Sequence, residues 1–485
     1  MSRKAYPEKN NQSILIKGRL FLLYSLPVVL FCSYYPVIPI ASTSSTNYEL
    51  SLPLIWLLLF SILSLKDFLN TIHDIYNKRR RLLLLLLFPL YLSATAFWST
   101  NPIRAIMTAG ILWCLIITSV TLLKTFAPTK LFDKVKFLKT FLISTTAFCA
   151  ICWIQSIFDC LEVDRSITLL CPGCTSYSFG FPHPSGFAIE PQFMGNLLLT
   201  PTLTVLYLWA KSKSDRDSES IFDSKTLLCM SFLFCSTLFL TFSRGAIYAF
   251  IIAFIALLIF AVVKLHNKVF WRTLPILLIS FIFTLCMQGL FSEISYTDSN
   301  FASGVDRSIS QLSLGKINLG LYESNNDETA DGVPDTPVFD GYVEESTNTR
   351  MKFNQIALEL SPKTPTSLIF GYGLGSAGEI MYQEGKTTTP FEIIQNEYLS
   401  LLLETGLLGL VLATFFIATI LTGLKKLTRP DRCLLICVVL SFLISLLFFS
   451  GLPNATHAYL FPVFLAASLP YLRPNHRLSQ TTSRK

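Results

Sequence analysis

The feature that most constrains this chain is a series of about twelve apolar blocks separated by polar segments. A helix needs about 20 mostly apolar residues to cross the hydrocarbon core of a bilayer. Only 14% of the residues are charged, against about 25% in an average soluble domain. The chain is therefore predicted to be an all-α polytopic membrane protein with about twelve transmembrane helices. The blocks lie near residues 20–40, 50–65, 82–98, 103–123, 140–158, 187–210, 226–242, 245–263, 273–291, 398–422, 433–450 and 458–472.

The distribution of basic residues predicts the orientation of these helices. Lys and Arg are retained on the cytoplasmic side of a membrane, because their translocation is unfavourable. If the N-terminus is cytoplasmic, most of the 39 basic residues fall in cytoplasmic segments, among them 66–81, 124–139 and 211–225. We therefore expect a multi-pass protein of the cytoplasmic (inner) membrane with both termini in the cytoplasm. The net charge of +8 follows from this topology and gives no support for a nucleic-acid partner.

One interval between apolar blocks is much longer than the others, and it divides the chain into three parts. Residues 1–291 are predicted to form a membrane bundle of about nine helices. Residues 292–394 are predicted to form one large outer (periplasmic or extracellular) loop before the tenth helix. Residues 395–485 then complete the bundle with about three helices and a cytoplasmic tail. Loops of this length are usually functional or disordered.

The outer loop contains two segments of different character. Residues 321–345 are acidic and lack any basic residue, so they are predicted to be solvated and flexible, with calcium binding as the minor alternative. A short surface helix is predicted over about 349–360, where Phe353, Ile356 and Leu360 fall on one face. That face is expected to pack onto the bundle or the membrane surface.

Charged residues at the outer ends of the helices are candidates for a functional site. Arg244 lies at the tip of a tight helical hairpin, where an Arg needs an anionic partner. A carboxylate on a neighbouring helix would serve, but a phosphate is favoured because the guanidinium group binds two of its oxygens at once. Arg350 begins the predicted surface helix, and Arg104 is a third outer Arg. Glu190 precedes a helix and either stabilises its N-terminus or acts as a base.

Other motifs are interpreted as structural. Gly373, Gly375 and Gly378 spell G-x-G-x-x-G without a surrounding strand–turn–helix unit, so a turn or a backbone anion nest is expected rather than a dinucleotide site. Cys171 and Cys174 form a C-x-x-C pair in an outer segment; a structural disulfide among these two and Cys160 is one interpretation, with the pairing open. His183 and His457 are interpreted as structural residues in turns. No cofactor or metal is predicted.

Four motifs occur in an order that resembles a known family. They are TFSRGAIYAF (241–250), NTRMKFNQIAL (348–358), IFGYGLGSAG (369–378) and QNEYLSLLLETGLLGLV (395–411), preceded by SGFAIEPQFMGNLLL (185–199). Together with the predicted topology they resemble the O-antigen ligase and polysaccharide polymerase superfamily. The resemblance implies a C-type membrane glycosyltransferase that moves glycans from an undecaprenyl-diphosphate carrier on the outer face of the membrane, without a sugar nucleotide or a metal.

The resemblance also implies roles for individual residues. Arg244 and Arg350 fall on two arginines thought to hold the lipid diphosphate. Gln395 occupies the position of a His that is a candidate base in the ligases, and an amide cannot accept a proton at neutral pH. Polymerase and ligase therefore both remain open, and Glu190 becomes an alternative base. We expect catalytic roles for Arg244, Arg350, Glu190 and Gln395, and substrate binding by Arg104, Ser243, Asn396 and Tyr398.

The expected partners follow from this function. They are an undecaprenyl-diphosphate-linked glycan, a glycan or lipid acceptor, membrane lipid, and a chain-length regulator or flippase. The alternative function is a flippase or secondary transporter of lipid-linked glycans. Such transporters usually have two related halves and polar breaks near the middle of the membrane. The sequence shows no such repeat, and its unusual charges lie at helix ends, so transfer chemistry is favoured.

The predicted orientation can be tested by cysteine labelling in intact cells. A cysteine introduced at position 330 should react with a membrane-impermeant thiol reagent, because residues 292–394 are predicted to face outward. A cysteine at position 212 should react only after the cells are permeabilised. Labelling at 212 but not at 330 in intact cells would contradict the predicted orientation and indicate the opposite one.

Overall fold

The computed structural model describes most of the chain, and the part that it describes is mainly helical. The described residues are 8–34, 36–42, 47–78, 84–161, 175–176, 183–188, 190–214, 221–265, 271–295, 300–314, 316–317, 319, 339–423, 429–449 and 460–468. The 321–345 tract is described only from residue 339 onward, and Cys171, Cys174 and His457 lie outside the described residues.

A helix overlaps each of the twelve apolar blocks. These helices are α1 (Glu8–Phe31), α2 (Leu52–Lys78), α3 (Leu87–Ala94), α4 (Pro102–Thr121), α5 (Lys134–Cys160), α6 (Pro191–Ser214), α7 (Ser224–Leu240), α8 (Arg244–Leu265), α9 (Thr273–Ser295), α14 (Glu397–Gly423), α15 (Arg429–Ser445) and α16 (Leu460–Ser468). Between α9 and α14 lie α10 (Phe301–Leu312), α11 (Phe339–Leu360), α12 (Pro365–Phe370) and α13 (Ala377–Gln383).

Within the described residues, seven helices are long and apolar enough to cross a membrane: α2, α4, α5, α6, α8, α9 and α14. This confirms the all-α polytopic class. The total of twelve spans stays a prediction, as do the boundaries of the three predicted parts.

The first apolar block is not one helix as predicted. α1 ends at Phe31, and residues Val37–Ser42 (β1) pair antiparallel with Asn47–Ser51 (β2). Pro36 and Pro39 cannot donate the backbone hydrogen bonds that would extend a helix, whereas Pro is tolerated in a short edge strand. The ladder is irregular between Pro39 and Ala41. A second short pair joins β3 (Thr175–Ser176) to β4 (His183–Pro184).

Helix ends that were predicted to lie on the same side of the membrane contact one another. At the predicted cytoplasmic end, Arg19 forms an ion pair with Asp67 at 2.5 Å, and the Tyr207 hydroxyl donates to Asp431 at 3.0 Å. At the other end, the Gln155 side chain exchanges two hydrogen bonds with the backbone of Gly186. The internal arrangement of the ends therefore agrees with the predicted alternation.

Helix α6 is the centre of the bundle. Its membrane-length segment is 94% buried, whereas that of α14 is 28% buried. A Cβ atom added at Gly195 would lie 2.8 Å from the Ala246 Cβ and 3.1 Å from the Ser243 Cβ. The missing side chain allows the backbones of α6 and α8 to approach closely, as small residues do in membrane helix pairs. This contact places the first turn of α8 against α6.

Helix α14 is broken at Gly406, where φ is +67°. The carbonyls before the break accept hydrogen bonds from outside the helix: Leu403 from the N–H of Tyr372 at 3.0 Å, and Glu404 from the N–H of Gly373 at 2.7 Å. The Tyr91 hydroxyl donates to the carbonyl of Thr405 at 2.8 Å. Backbone groups at membrane depth must be satisfied within the protein, and these contacts satisfy them.

The described part of the region predicted as a single outer loop contains four helices. α10 was not predicted; it folds back on α9, where Gly289 and Gly304 leave no room for a side chain between the two backbones. α11 was predicted to begin near residue 349 but begins at Phe339, within the acidic tract. The predicted face is confirmed, because Ile356 and Leu360 are buried against α13 and α14, with Phe353 packed beside them.

The break in α14 generates a stability prediction. Gly406→Ala should lower the free energy of unfolding by about 3 kcal/mol or more, because an L-residue is strained at positive φ and the added Cβ would lie 2.3 Å from the Ile369 carbonyl oxygen. Thermal unfolding of the purified protein in detergent measures the loss.

Two matched variants separate the causes of that loss. Gly385 has the same φ of +67° but open space around it, so Gly385→Ala should cost only about 1 kcal/mol. Gly110 lies within α4 with nothing within 4 Å, so Gly110→Ala should cost nothing. A Gly406→Ala protein as stable as Gly110→Ala would contradict this account of the break.

Candidate active site

The turn that follows α15 joins three parts of the candidate site. We define the α15 turn as residues 446–449. The Gln192 side chain of α6 donates to the carbonyl of Phe448 at 2.6 Å, and the N–H of Glu397 donates to the carbonyl of Leu446 at 2.9 Å. A Cβ atom added at Gly245 would lie 2.7 Å from the Phe448 Cβ. The first turns of α6, α8 and α14 therefore meet at the α15 turn.

Arg244 is the first residue of α8, and its side chain is half-buried. One guanidinium nitrogen, Nη1, is enclosed by the protein. Gly245, the next residue, packs directly on the α15 turn, so Arg244 is held at the point where the three helices meet. The N-terminus of a helix carries free N–H groups and a partial positive charge, and both favour an anion at this position.

Ser243 adds a buried polar group beside Arg244. Its side chain is 8% exposed, and its hydroxyl has no hydrogen-bond partner among the residues that the structure describes. Asn196, next to the Gly195 contact, is 2% exposed, and neither atom of its amide group is bonded within that part of the chain. Buried polar groups are normally satisfied, so these two side chains are candidates to bind a polar ligand or water.

The residue before Ser243 adopts an unusual backbone conformation. Phe242 has φ of +46°, which is rare for a bulky residue, and its ring lies 5.4 Å from that of His183. His183 is 2% exposed, and burial lowers its pKa to about 3. The imidazole is therefore neutral at physiological pH and a poor proton acceptor, which agrees with a structural role.

Glu190 lies one residue before α6, and its side chain is exposed. Its carbonyl accepts a hydrogen bond from the N–H of Phe193 at 3.1 Å. The ring of Phe193 packs edge-on against Phe449 at 4.9 Å, which fixes this end of α6 on the α15 turn. Glu190 is thus near the meeting point of the helices, on its solvent side.

The Q-N-E-Y motif forms the start of α14. The Asn396 side chain accepts hydrogen bonds from the N–H groups of Tyr398 and Leu399 at 3.1 and 3.2 Å, which is the geometry of a helix N-cap. The Tyr398 hydroxyl donates to the carbonyl of Leu443 at 2.7 Å. Both predicted substrate-binding residues thus make internal contacts. Gln395 is half-buried, and its amide oxygen accepts no hydrogen bond from the described residues.

Arg350 is half-buried on α11. It precedes Phe353 and Ala357 by three and seven residues, so it shares their face of the helix, which packs against α13 and α14. Asn354 lies one turn from Arg350, and its side-chain oxygen is buried without a partner among the described residues. The proximity of Arg350 to Arg244 stays a prediction.

The G-x-G-x-x-G segment is a turn, as predicted, and it binds a carboxylate of the chain itself. Gly373 and Gly375 have φ of +97° and +76°. The N–H of Ala377 donates to the Glu404 carboxylate at 3.2 Å, and the N–H of Gly375 also donates to it. Arg104 lies against Gly375 and interacts electrostatically with Glu404. The predicted backbone nest is thus occupied by Glu404.

A narrow polar cleft opens between α4, this glycine-rich segment and α14. It is lined by Arg104, Thr108, Leu374, Gly375, Ala377, Gly378, Glu392, Ile393, Ile394, Glu397, Ser400 and Glu404. Sequence reasoning predicted Arg104 but missed the acidic residues. The sequence did contain a signal for these acidic residues. Glu397 and Glu404 are seven residues apart on one face of an otherwise apolar helix, and charged residues in such helices are usually functional. Within the described residues, no three His, Cys, Asp or Glu side chains group as metal ligands.

One segment of the chain matches a known protein family. Residues 229–414 match the family model of O-antigen ligase, a segment that runs from α7 into α14 and includes Arg244, Arg350 and Gln395. The chain is thus a multi-pass membrane protein in which one segment resembles the glycosyltransferase-like O-antigen ligases. It carries an O-antigen ligase domain over residues 229–414, which confirms the predicted superfamily and a role in surface glycan biosynthesis. No curated protein sequence matches the chain.

The role of Asn396 as the N-cap of α14 can be tested by substitution. Asn396→Ala should lower the free energy of unfolding by about 1 kcal/mol, because the first turn of α14 loses its cap. Asn396→Ser should retain most of that stability, since Ser also caps helices, but it lacks the amide group. Thermal unfolding of both variants in detergent measures the contribution of the cap to stability. An Ala variant as stable as the parent protein would contradict the capping role.

Proposed function

We propose that this protein transfers or polymerises an undecaprenyl-diphosphate-linked oligosaccharide on the outer face of the cytoplasmic membrane. The observation that carries the proposal is the start of α8. There the half-buried Arg244, the buried hydroxyl of Ser243 and the helix N-terminus lie together where three helices meet. Each of these groups favours an anionic, hydrogen-bonding ligand, and the surrounding segment matches the O-antigen ligase family.

The chemistry needs such a site because the leaving group is a diphosphate. As an acceptor hydroxyl attacks the anomeric carbon, negative charge develops on the departing phosphate oxygens. Positive groups that are already in position stabilise this charge without reorganisation, and more strongly in a site from which water is excluded. The guanidinium group of Arg244 provides two parallel N–H donors, and Ser243 adds a hydroxyl donor.

Arg350 is proposed to supply the second positive charge. It lies on the face of α11 that packs toward α14, and this face is fixed by the burial of Ile356, Ala357 and Leu360. Two arginines can balance much of the diphosphate charge, so the proposed mechanism is metal-independent and uses no cofactor. Gln395 is proposed to orient the donor or the acceptor, because its amide oxygen is buried and unbonded within the described part of the chain.

The remaining parts of the proposal concern topology and partners. The end of the bundle that carries Arg244 is assigned to the outer side, and both termini to the cytoplasm. The segment 292–394, which contains α10 to α13, is proposed to cover the site. The carrier lipid would reach the site from the bilayer, and a flippase would deliver it. The acceptor is a glycan in a polymerase and a glycan or lipid in a ligase.

The role of Arg244 can be tested with an Arg-to-Lys substitution. Arg244→Lys should lower the rate of transfer by at least about tenfold, because Lys keeps the charge but loses the planar pair of donors. The measurement is glycan transfer from purified undecaprenyl-diphosphate oligosaccharide in detergent. Arg272→Lys, an exposed position before α9, is the matched control and should keep full activity.

Two results would contradict the proposal. Full activity of Arg244→Lys would remove Arg244 from the diphosphate site. Loss of parental activity on addition of a chelator, with recovery on adding a divalent cation, would show that a metal contributes to the reaction.

A further inference from the structure

The polar cleft beside α14 is not explained by diphosphate binding. Its charged lining consists of Glu392, Glu397 and Glu404 with Arg104 as the single cation. An anionic donor would be repelled by this excess of carboxylates. The volume of the cleft that the centre of a water molecule can occupy is about 20 Å³, which is room for about one water-sized group. The cleft is therefore suited to one hydroxyl group rather than to a phosphate or a whole sugar ring.

The carboxylates of the cleft differ in their contacts and in their burial. Glu404 binds the N–H groups of Gly375 and Ala377, so it holds the glycine-rich segment in place. Arg104 interacts with Glu404 from the other side. Glu392 lies in the segment before α14 and is only half-buried. Glu397 is 7% exposed and lies on the first turn of α14, three residues before Ser400, which also lines the cleft.

Glu397 is linked through the α15 turn to the start of α8. Its N–H is bonded to the carbonyl of Leu446, while Phe448, two residues further along the same turn, packs on Gly245. The first turns of α14 and α8 therefore contact the same short segment of backbone. One of these turns carries the Glu397 carboxylate, and the other carries the Arg244 guanidinium group.

Other described residues of the site are less suited to accept a proton. Gln395 has no basic group at neutral pH. His183 is buried, and its pKa is lowered to about 3. Glu190 is exposed on the solvent side of α6. Glu397 combines a carboxylate, enclosure in a cleft and a link through the α15 turn to the start of α8.

We propose that the cleft receives the attacking hydroxyl group of the acceptor sugar, and that Glu397 is the general base that accepts its proton. This proposal rests on the transfer reaction proposed above. The acceptor oxygen forms a bond to the anomeric carbon while the bond from that carbon to the diphosphate oxygen breaks. The electron pair of the broken bond leaves with the diphosphate beside Arg244, and the proton of the hydroxyl passes to the Glu397 carboxylate. The sugar ring itself remains at the mouth of the cleft.

The charges of the cleft also predict which acceptors it disfavours. Three carboxylates with one guanidinium group repel an acceptor that carries a phosphate or carboxylate next to its reacting hydroxyl. A neutral sugar or an amino sugar has no such cost.

Glu397 also has a structural interpretation, since a carboxylate in the first turn stabilises a helix by about 0.3–1 kcal/mol. The test therefore measures rate and stability together. Glu397→Gln should lower the rate of the transfer step by about 10²–10⁴-fold. Binding of undecaprenyl diphosphate and the unfolding temperature should change little. Glu384→Gln, the same substitution at an exposed position on the end of α13, is the matched control and should keep full activity.

A pH profile distinguishes a base from a helix-stabilising group. The parental rate should fall at acidic pH as the base is protonated, and Glu397→Gln should lose this dependence. Arg104, Glu392, Glu404 and the Tyr398 hydroxyl are charged or titratable groups at this end of α14. Arg244 and Arg350 are the charged groups of the proposed diphosphate site. All six are retained in the variant. Glu397→Asp keeps a carboxylate and should retain more activity than Glu397→Gln. If Glu397→Gln does not fold, the Asp variant provides the test, and its acidic fall in rate should persist.

The results separate this proposal from the proposed function. If Glu397→Gln transfers within about threefold of the parental rate while Arg244→Lys is impaired, the assignment of Glu397 as the general base is wrong. The role of Arg244 in binding the diphosphate is then unaffected. If Glu397→Asp is as slow as Glu397→Gln, the assignment of Glu397 as the general base is also wrong. If the parental protein transfers nothing from the lipid-linked donor and does not bind undecaprenyl diphosphate, the proposed function itself fails.

Discussion

The break in α14 at Gly406 is the constraint on which much of the site depends. In an apolar bilayer an open helix backbone must find partners within the protein. Here the partners are Tyr372 and Gly373 of the glycine-rich segment and the Tyr91 hydroxyl of α3. One interruption therefore fixes three elements that are distant in sequence. It also brings the Glu404 carboxylate against the N–H groups of the glycine-rich segment, which shapes the cleft.

The α15 turn positions the other helix ends of the site. Its carbonyl groups accept from Gln192 and from the N–H of Glu397, and Phe448 packs where Gly245 has no side chain. Short backbone contacts of this kind position helix ends more rigidly than pairs of long side chains would. The result is a site made from the N-termini of helices, whose dipoles favour negative charge. An anionic donor at this end of the bundle is consistent with that arrangement.

Opposite charges lie at the starts of two helices that share one contact. Arg244 begins α8 and Glu397 begins α14, and the first turns of both helices contact the α15 turn. A transfer reaction that expels a diphosphate needs positive charge at the leaving group and a proton acceptor at the nucleophile. These two requirements conflict if the two side chains form a direct ion pair, because the pair occupies the N–H donors of the arginine and makes the carboxylate a weaker base.

The sequence by itself determined the membrane class, the positions of most helices, the resemblance to O-antigen ligases, and the inward face of α11. These follow from local hydrophobicity, short motifs and helical periodicity, which the chain carries residue by residue. It did not reveal the hairpin after α1, the return of α10 along α9, or the identity of the anion in the glycine nest. Only the tertiary structure placed Glu404 in that nest and Glu397 beside the α15 turn. Such pairings depend on backbone contacts between segments far apart in the chain, and neither composition nor periodicity encodes them.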